Sequence, residues 1–161
     1  MTHVPDGCKP HVRDTVPEDL CVIIDEMRAE DVAEVLAIGS TPEQSVLQGA
    51  LHSDPLWTVV DSSGYPVALF GAVSAVLPCG TSVGVVWLLG TPGVSRIRWE
   101  FLRQSRRWVN ALHEAHGVLW NRIDVRNKLH TDWLKWLGFT MLSPKPIGVN
   151  GELFSEFIKV P

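Results

Sequence analysis

The spacing of apolar residues changes character twice along the chain. Between about residues 17 and 51 it is helical. Pro17 stands where a first helical residue is tolerated, with Glu18 and Asp19 behind it where the helix dipole favours acids, so a helix over about 17–27 is expected. In "RAEDVAEVLAIG" Val32, Val35 and Leu36 recur at helical spacing and Gly39 ends the segment. "STPEQSVLQGAL" offers Ser40 or Thr41 as N-cap, Pro42 at the first position and Glu43 behind it, giving a third helix over about 42–51. Ahead of Pro17, "HVRDTV" alternates weakly, as a short strand would.

The pattern then turns to β-branched and aromatic runs. "LWTVVDSSGYPVALFGAVSAVL" is split by the turn-forming "DSSG", which predicts a hairpin with strands near 56–60 and 66–76. "SVGVVWLLG" is apolar on both faces, as a central strand covered above and below would be. From Ser95 the helical period returns. Ile97, Phe101, Trp108, Leu112 and Ala115 fall on one stripe of a long helix, about 95–116, which Gly117 closes. A strand over about 118–125 follows. Leu129, Trp133, Trp136 and Leu137 then form one face of a helix headed by Asn127, with Gly138 as its C-cap. "FTML", the Pro-Gly loop "SPKPIGVNGE" and "LFSEFIKV" complete the chain as strand, turn and strand. This order describes an α+β protein with a mixed central sheet and helices on both faces. At 161 residues one domain is expected, over residues 10–161, behind an arm of residues 1–9 that has no apolar period.

A formal net charge of −4 and 20% charged residues argue against a surface that grips nucleic acid broadly. Cys8, Cys21 and Cys79 are odd in number and share no CxxC spacing, which suggests neither a disulfide framework nor a zinc site and fits a reducing compartment. The N-terminus lacks the apolar core of a secretory signal, and no apolar run approaches the roughly 18 residues of a membrane span. Neither a cleaved signal nor a lipid anchor is expected.

Asn127, followed twelve residues later by the end of Leu137-Gly138-Phe139, resembles the penultimate helix of the GNAT acyl-CoA-dependent N-acetyltransferases. The element order strengthens the likeness. More closely, "WLLGT", "FLRQSRRWV", "LWNRIDVRN" and "WLKWLGF" resemble a GNAT-like family of short-tailed phages whose best-known member is described as an internal virion protein needed for particle assembly; the likeness runs from about residue 11 onward. The resemblance implies a GNAT fold, acetyl-CoA as coenzyme and partners among virion or host proteins. The residues themselves suggest no metal and no membrane, and the resemblance implies a place in the host cytoplasm or the particle. Its implied cofactor-binding positions are Leu88 and Leu89 on the fourth strand, Gly93, Val94, Ser95, Arg96 and Arg98 at the start of the long helix, and Asn127.

Acetyl transfer from a thioester needs a pyrophosphate cradle, a strand edge for the pantetheine amides, a base for the ammonium and an acid for the thiolate. The GNAT cradle presents backbone N–H groups at a helix N-terminus in a run like Arg/Gln-x-x-Gly-x-Gly/Ala. "GTPGVSRIR" has Gly90 and Gly93 without that paired pattern, and Pro92 removes a donor. Arg96 and Arg98 oppose the helix dipole, which an anion would offset; solvation or pairing with Glu100 explains them equally well. Where the family places an acidic Tyr, seven residues after the Asn, stands Leu134, and the only tyrosine, Tyr65, lies in the hairpin turn. The fourth strand holds neither a carboxylate nor a histidine.

His130, one turn after Asn127, is the remaining catalytic candidate; the alternative is a surface histidine. "HEAH" at 113–116 has metal-like spacing but lacks a third ligand. Asp124 and Arg126 bind a ligand or pair with each other. Arg96, Arg98, Arg103, Arg106 and Arg107 make the first half of the long helix basic, and some of Trp99, Trp120 and Trp136 are left outside the core. Two functions follow: a catalytically degenerate phage protein that keeps the scaffold for interaction, or an active N-acyltransferase with a remodelled site. An open or plugged groove between the fourth and fifth strands discriminates them.

Overall fold

The computed structural model describes residues 12–161; the expected N-terminal arm lies outside them. The elements run β1 (Val12–Asp14), α1 (Pro17–Asp25), α2 (Ala29–Ala37), α3 (Pro42–His52), β2 (Ser53–Val60), β3 (Pro66–Val76), β4 (Ser82–Gly90), α4 (Val94–His116), β5 (Leu119–Asp124), α5 (Lys128–Trp136), β6 (Thr140–Met141), β7 (Lys145–Pro146) and β8 (Leu153–Lys159). They form one sheet in the order β1-β2-β3-β4-β5-β8-β6, with β7 also on β8. The local signals decide the helix starts. Pro17 and Pro42 open α1 and α3, and the Thr41 hydroxyl accepts from Gln44 N at 3.1 Å.

The core lies mainly between the sheet and the helices α4 and α5. Trp57, Phe70, Phe101, Trp108 and Trp133 form a connected aromatic chain, with successive centroids 4.8 to 5.9 Å apart in tilted or edge contacts. A smaller cluster of Ile23, Val46 and Leu69 packs α1 and α3 on the sheet. The stripe expected on α4 is buried at Ile97, Phe101, Trp108 and Leu112, whereas Ala115 is exposed.

The pairing of β4 with β5 is what positions the site. These neighbours run parallel, yet they pair only at Gly84 with Leu119 and Val85 with Trp120. Beyond that point each keeps its other partner: β4 stays with β3 through Gly90, and β5 stays with β8 through Asp124. The sheet therefore opens as a V from Val86 and Asn121 onward. Asn121 sits at the vertex, donating from Nδ2 to the Val86 carbonyl at 2.7 Å and accepting from Arg122 N at 2.7 Å.

Candidate functional site

A cavity of about 630 Å³ occupies the V and is bordered by residues of both sheet faces. Trp87, Leu88 and Trp120 stand along its sides, and none of them fills it. Trp87 is held back by its indole N–H, which donates to Ser53 Oγ at 2.7 Å. Glycine at position 49 makes room for that ring, since a Cβ there would lie 2.6 Å from Trp87. The lining is otherwise dominated by apolar side chains of α4, α5 and β8, with Glu34, Arg122 and His130 as its titratable members.

At the open end of the V a buried polar network ties the two strands to α2. Arg28 accepts nothing and donates widely: Nη2 to Asn127 Oδ1 at 2.9 Å and Nη1 to His130 Nε2 at 3.0 Å. Asn127 Nδ2 donates to Asp31 Oδ1 at 3.1 Å and Glu34 Oε2 at 2.8 Å. The other carboxylate oxygens reach the backbone, Asp31 Oδ2 accepting from Gly90 N at 2.9 Å and Glu34 Oε1 from Asp124 N at 3.3 Å. Arg28 N also donates to the Gly90 carbonyl at 2.8 Å. The end of β4 and the end of β5 are thus both bonded to α2 and its leading residue, which holds the V open.

Charge in this network is tuned by burial. Desolvation raises Asp31 to about 6 against the opposing pull of Arg28, and raises Glu34 to about 7 against its bond from Asn127. Glu34 keeps some accessible surface because it borders the cavity, whereas Asp31 has none. His130 is pushed down to about 3 by burial and then by the Arg28 guanidinium, so its ring is neutral near pH 7. Because Arg28 can only donate, Nε2 accepts and the proton sits on Nδ1, 3.8 Å from Asp31 Oδ1. The 3.3 Å approach of Asn127 Nδ2 to Nδ1 is then a meeting of two donors.

Asp31, Glu34 and His130 offer ligand atoms within 4.8 Å of one another, the one such group among the described residues. The Asn127 amide already lies among them, bonded to both carboxylates, and Arg28 supplies the compensating charge. The His pair of "HEAH" is engaged elsewhere, His113 Nδ1 with the Gly117 carbonyl at 2.7 Å and His116 Nε2 with the Asp54 carbonyl at 2.6 Å. Asp124 and Arg126 pair with each other at 2.6 Å, which lowers the carboxyl.

The start of α4 has a different character. Thr91 N donates to the Val67 carbonyl at 2.8 Å, Gly93 N to Thr91 Oγ1 at 3.1 Å, and Val94, Ser95 and Arg96 N to the carbonyls three residues back at 3.1 to 3.3 Å. Pro92 has no N–H. Every backbone donor from Gly90 to Arg96 is therefore spent inside the protein. Gly93 is buried, and a Cβ on it would meet Val67, Arg96 and Thr91. Arg96, Arg98 and Ser95 are exposed, while Val94 is wholly buried. A coenzyme pyrophosphate needs free donors at this turn, and none is left in the backbone. The V between β4 and β5 is open, and the backbone of the turn offers no free donor.

Of the positions singled out in the sequence, Leu88, Leu89 and His130 border the cavity, and Leu134 borders it in place of a hydroxyl. Asn127 is buried in the polar network, where its partners are Arg28, Asp31 and Glu34. Tyr65 donates to Glu26 at 2.6 Å on the surface. Sequence reasoning missed Arg28, Asp31 and Glu34. The signal was present: Arg28 and Asp31 precede Val35 by seven and four residues, so two charges share a helix face with a core valine.

No protein-family model and no curated protein sequence matches the chain. Solved structures do. The chain is similar to a phosphinothricin acetyltransferase of the GNAT superfamily from Sinorhizobium meliloti, determined with AcCoA, at 13% identity and a TM-score of 0.67 over 92% of this chain and 86% of that one. It is similar to a chain of the NatC complex bound to Gag peptide and CoA, at 11% identity and 0.69 over 93% and 97%. An acetyltransferase of the GNAT family from Streptococcus agalactiae matches at 13% identity and 0.61 over 93% and 94%. The chain has the GNAT acetyltransferase fold, an α+β architecture whose V between β4 and β5 is open.

Proposed function

We propose that this chain is a catalytically degenerate GNAT-fold protein of a phage, acting on virion or host proteins as a binding module that no longer transfers acetyl groups. The observation that carries the reading is the closed turn at the start of α4, where no backbone N–H from Gly90 to Arg96 is free for a phosphate. Leu134 adds to it, because an aliphatic side chain cannot protonate a leaving thiolate. The phage and virion part rests on the sequence stretches "WLLGT", "FLRQSRRWV", "LWNRIDVRN" and "WLKWLGF" alone. Arg106 stacked on Trp136 at 4.7 Å and the exposed Trp99 give the outer side of α4 and α5 the aromatic and arginine content common at protein interfaces.

Thiol release from acetyl-CoA, with polyamines, amino acids and N-terminal peptides as acceptors, is expected to stay at the rate of the Glu34→Gln variant. Turnover that this variant abolishes overturns the reading. Mass spectrometry of gradient-purified particles is expected to find the chain in the virion or bound to a host protein. A chain free of both contradicts the second half of the proposal.

A second reading, an N-acyltransferase with a remodelled site, is favoured by Glu34. It borders the cavity with a proton affinity near neutrality, the condition in which a carboxylate serves best as a general base.

A further inference from the structure

Two tryptophans stand apart from the aromatic core. Of the seven in the chain, Trp99 and Trp136 alone are exposed, at 63% and 47%. Tryptophan is enriched at protein interfaces, where one rigid ring supplies a large contact area. Each of these rings carries a guanidinium: Arg98 lies over Trp99 with Cζ 4.9 Å from the centroid, and Arg106 over Trp136 at 4.7 Å. The second pair joins α4 to α5, so the two helices present one continuous face. Arg103 is exposed on it as well, four residues after Trp99 and three before Arg106.

These arginines differ from others of the chain in what they hold. Arg13 bonds Asp19 at 2.7 Å, Arg126 bonds Asp124 at 2.6 Å and Arg122 faces Glu156 at 3.7 Å. Arg98, Arg103 and Arg106 hold no carboxylate among the described residues, although acids outnumber lysines and arginines 18 to 14 in the chain. Stacking on an indole fixes a guanidinium and leaves its in-plane N–H groups open to an acceptor. Exposed cations held in place without an internal anion are set up for an external one. Nucleic acid is the poorer occupant. In both stacked pairs an indole face that a base would use is taken by the protein's own guanidinium. Glu100 and Asp132, exposed and close in sequence to the two tryptophans, repel a run of phosphates, whereas a peptide can set neutral residues opposite them.

We propose that this face of α4 and α5 docks an acidic segment of a partner protein, its Asp or Glu side chains accepting from Arg98, Arg103 and Arg106 and an apolar side chain lying on Trp99. Along α4, Arg98 and Arg106 are about 12 Å apart at a rise of about 1.5 Å per residue. Carboxylates four residues apart on an extended segment are separated by about 13 Å, which matches. The proposal rests on the reading of the chain as a binding module for proteins, and it names the surface and the chemistry of the partner.

A rhodamine-labelled peptide of alternating glutamate and serine with one central leucine is the probe, titrated with the full chain and read by fluorescence anisotropy. The same peptide with glutamine in place of glutamate, and an oligothymidylate carrying the same label, are the comparisons. Saturable binding of the glutamate peptide is expected, weakening as salt rises, with both comparisons weaker by about tenfold or more. Arg103→Gln and Arg106→Gln are each expected to weaken it by about fivefold, the upper end for an exposed ion pair. Lys145→Gln removes the same charge from β7 and is expected to leave binding unchanged. All three side chains are exposed, so the variants keep the fold, with circular dichroism as the check. A silent glutamate peptide, or binding that the arginine variants weaken no more than Lys145→Gln does, overturns this proposal and leaves the proposed function standing. Oligothymidylate bound more tightly than the peptide also overturns it, by making the face a nucleic-acid site. Acetyl transfer that Glu34→Gln abolishes overturns the proposed function whatever the peptide does.

Discussion

Asn127 stands 2.8 Å from Glu34 and 2.9 Å from Arg28, residues more than ninety positions earlier in the chain, and through them it joins the head of α5 to α2 and its leading residue. Its amide accepts from the cation and donates to both carboxylates. Replacing it with Leu removes the acceptor of Arg28 and the shared donor of Asp31 and Glu34 while keeping similar bulk. A loss of about 2–4 kcal/mol in urea unfolding is expected, the cost of deleting several buried hydrogen bonds to charged groups that keep their other partners. A loss under about 1 kcal/mol would show that water takes over the role of the amide.

Asp31 and Glu34 make stability depend on pH in an unusual direction. Their folded pKa values, about 6 and about 7, lie above the ordinary carboxylate values of 3.8 and 4.5. Between those limits the native state binds more protons than the unfolded chain, so their contribution falls as pH rises from about 4 to about 7. His130 acts oppositely. Its folded value of about 3 lies below 6.5, so its contribution falls as pH drops through that window. Glu34→Gln removes one acid and leaves the histidine. Relative to the parent, this variant gains stability with pH, by up to about 3 kcal/mol between pH 4.5 and 8 and less where the cavity hydrates the carboxyl. Chemical unfolding at both pH values reads the difference; equal differences would deny the raised pKa.

Asn121 spans the vertex of the V. Asn121→Ala deletes the bond to the Val86 carbonyl and the acceptor of Arg122 N, at an expected cost of about 1–2 kcal/mol. Hydrogen exchange of the Arg122 amide is expected to quicken while that of Phe70, paired with both β2 and β4, is unchanged. Unchanged exchange at Arg122 would place the strength of the vertex in the strand pairing alone.

Gly84 pairs with Leu119 at the base of the V and lies under the end of α4, where an added Cβ would come within 2.6 Å of His116 Cβ. Gly84→Val is therefore expected to destabilise by about 1–3 kcal/mol, or more if the helix end cannot shift. Thermal unfolding checks it, and a neutral result would mean that the last turn of α4 gives way freely.

The elements were legible in the sequence because their signals are local. Pro17, Pro42, Gly39 and Gly117 sit where they punctuate helices, and the double-sided apolar run Val83–Leu89 marks the central strand. The apolar pattern starts the first hairpin strand near 56, whereas β2 starts at Ser53; Pro55 interrupts the alternation there and hides the pairing of Ser53 with Val73. The site was legible only in outline. His130 and Leu134 could be placed near a cleft from helix spacing, but the partners of Asn127 come from α2 and its leading Arg28, 99 residues away in the case of Arg28. Periodicity carries no information over that distance. The closing of the α4 turn was half visible, since Pro92 shows one missing donor while the internal bonds of Gly93 to Arg96 exist only once the turn is folded.

Calorimetric titration of the chain with CoA tests the central claim most directly, because the account separates an open cleft from a spent phosphate turn. No saturable heat up to millimolar CoA is the predicted result. Micromolar binding that Arg96→Ala weakens would contradict it, by showing that the start of α4 holds a pyrophosphate after all.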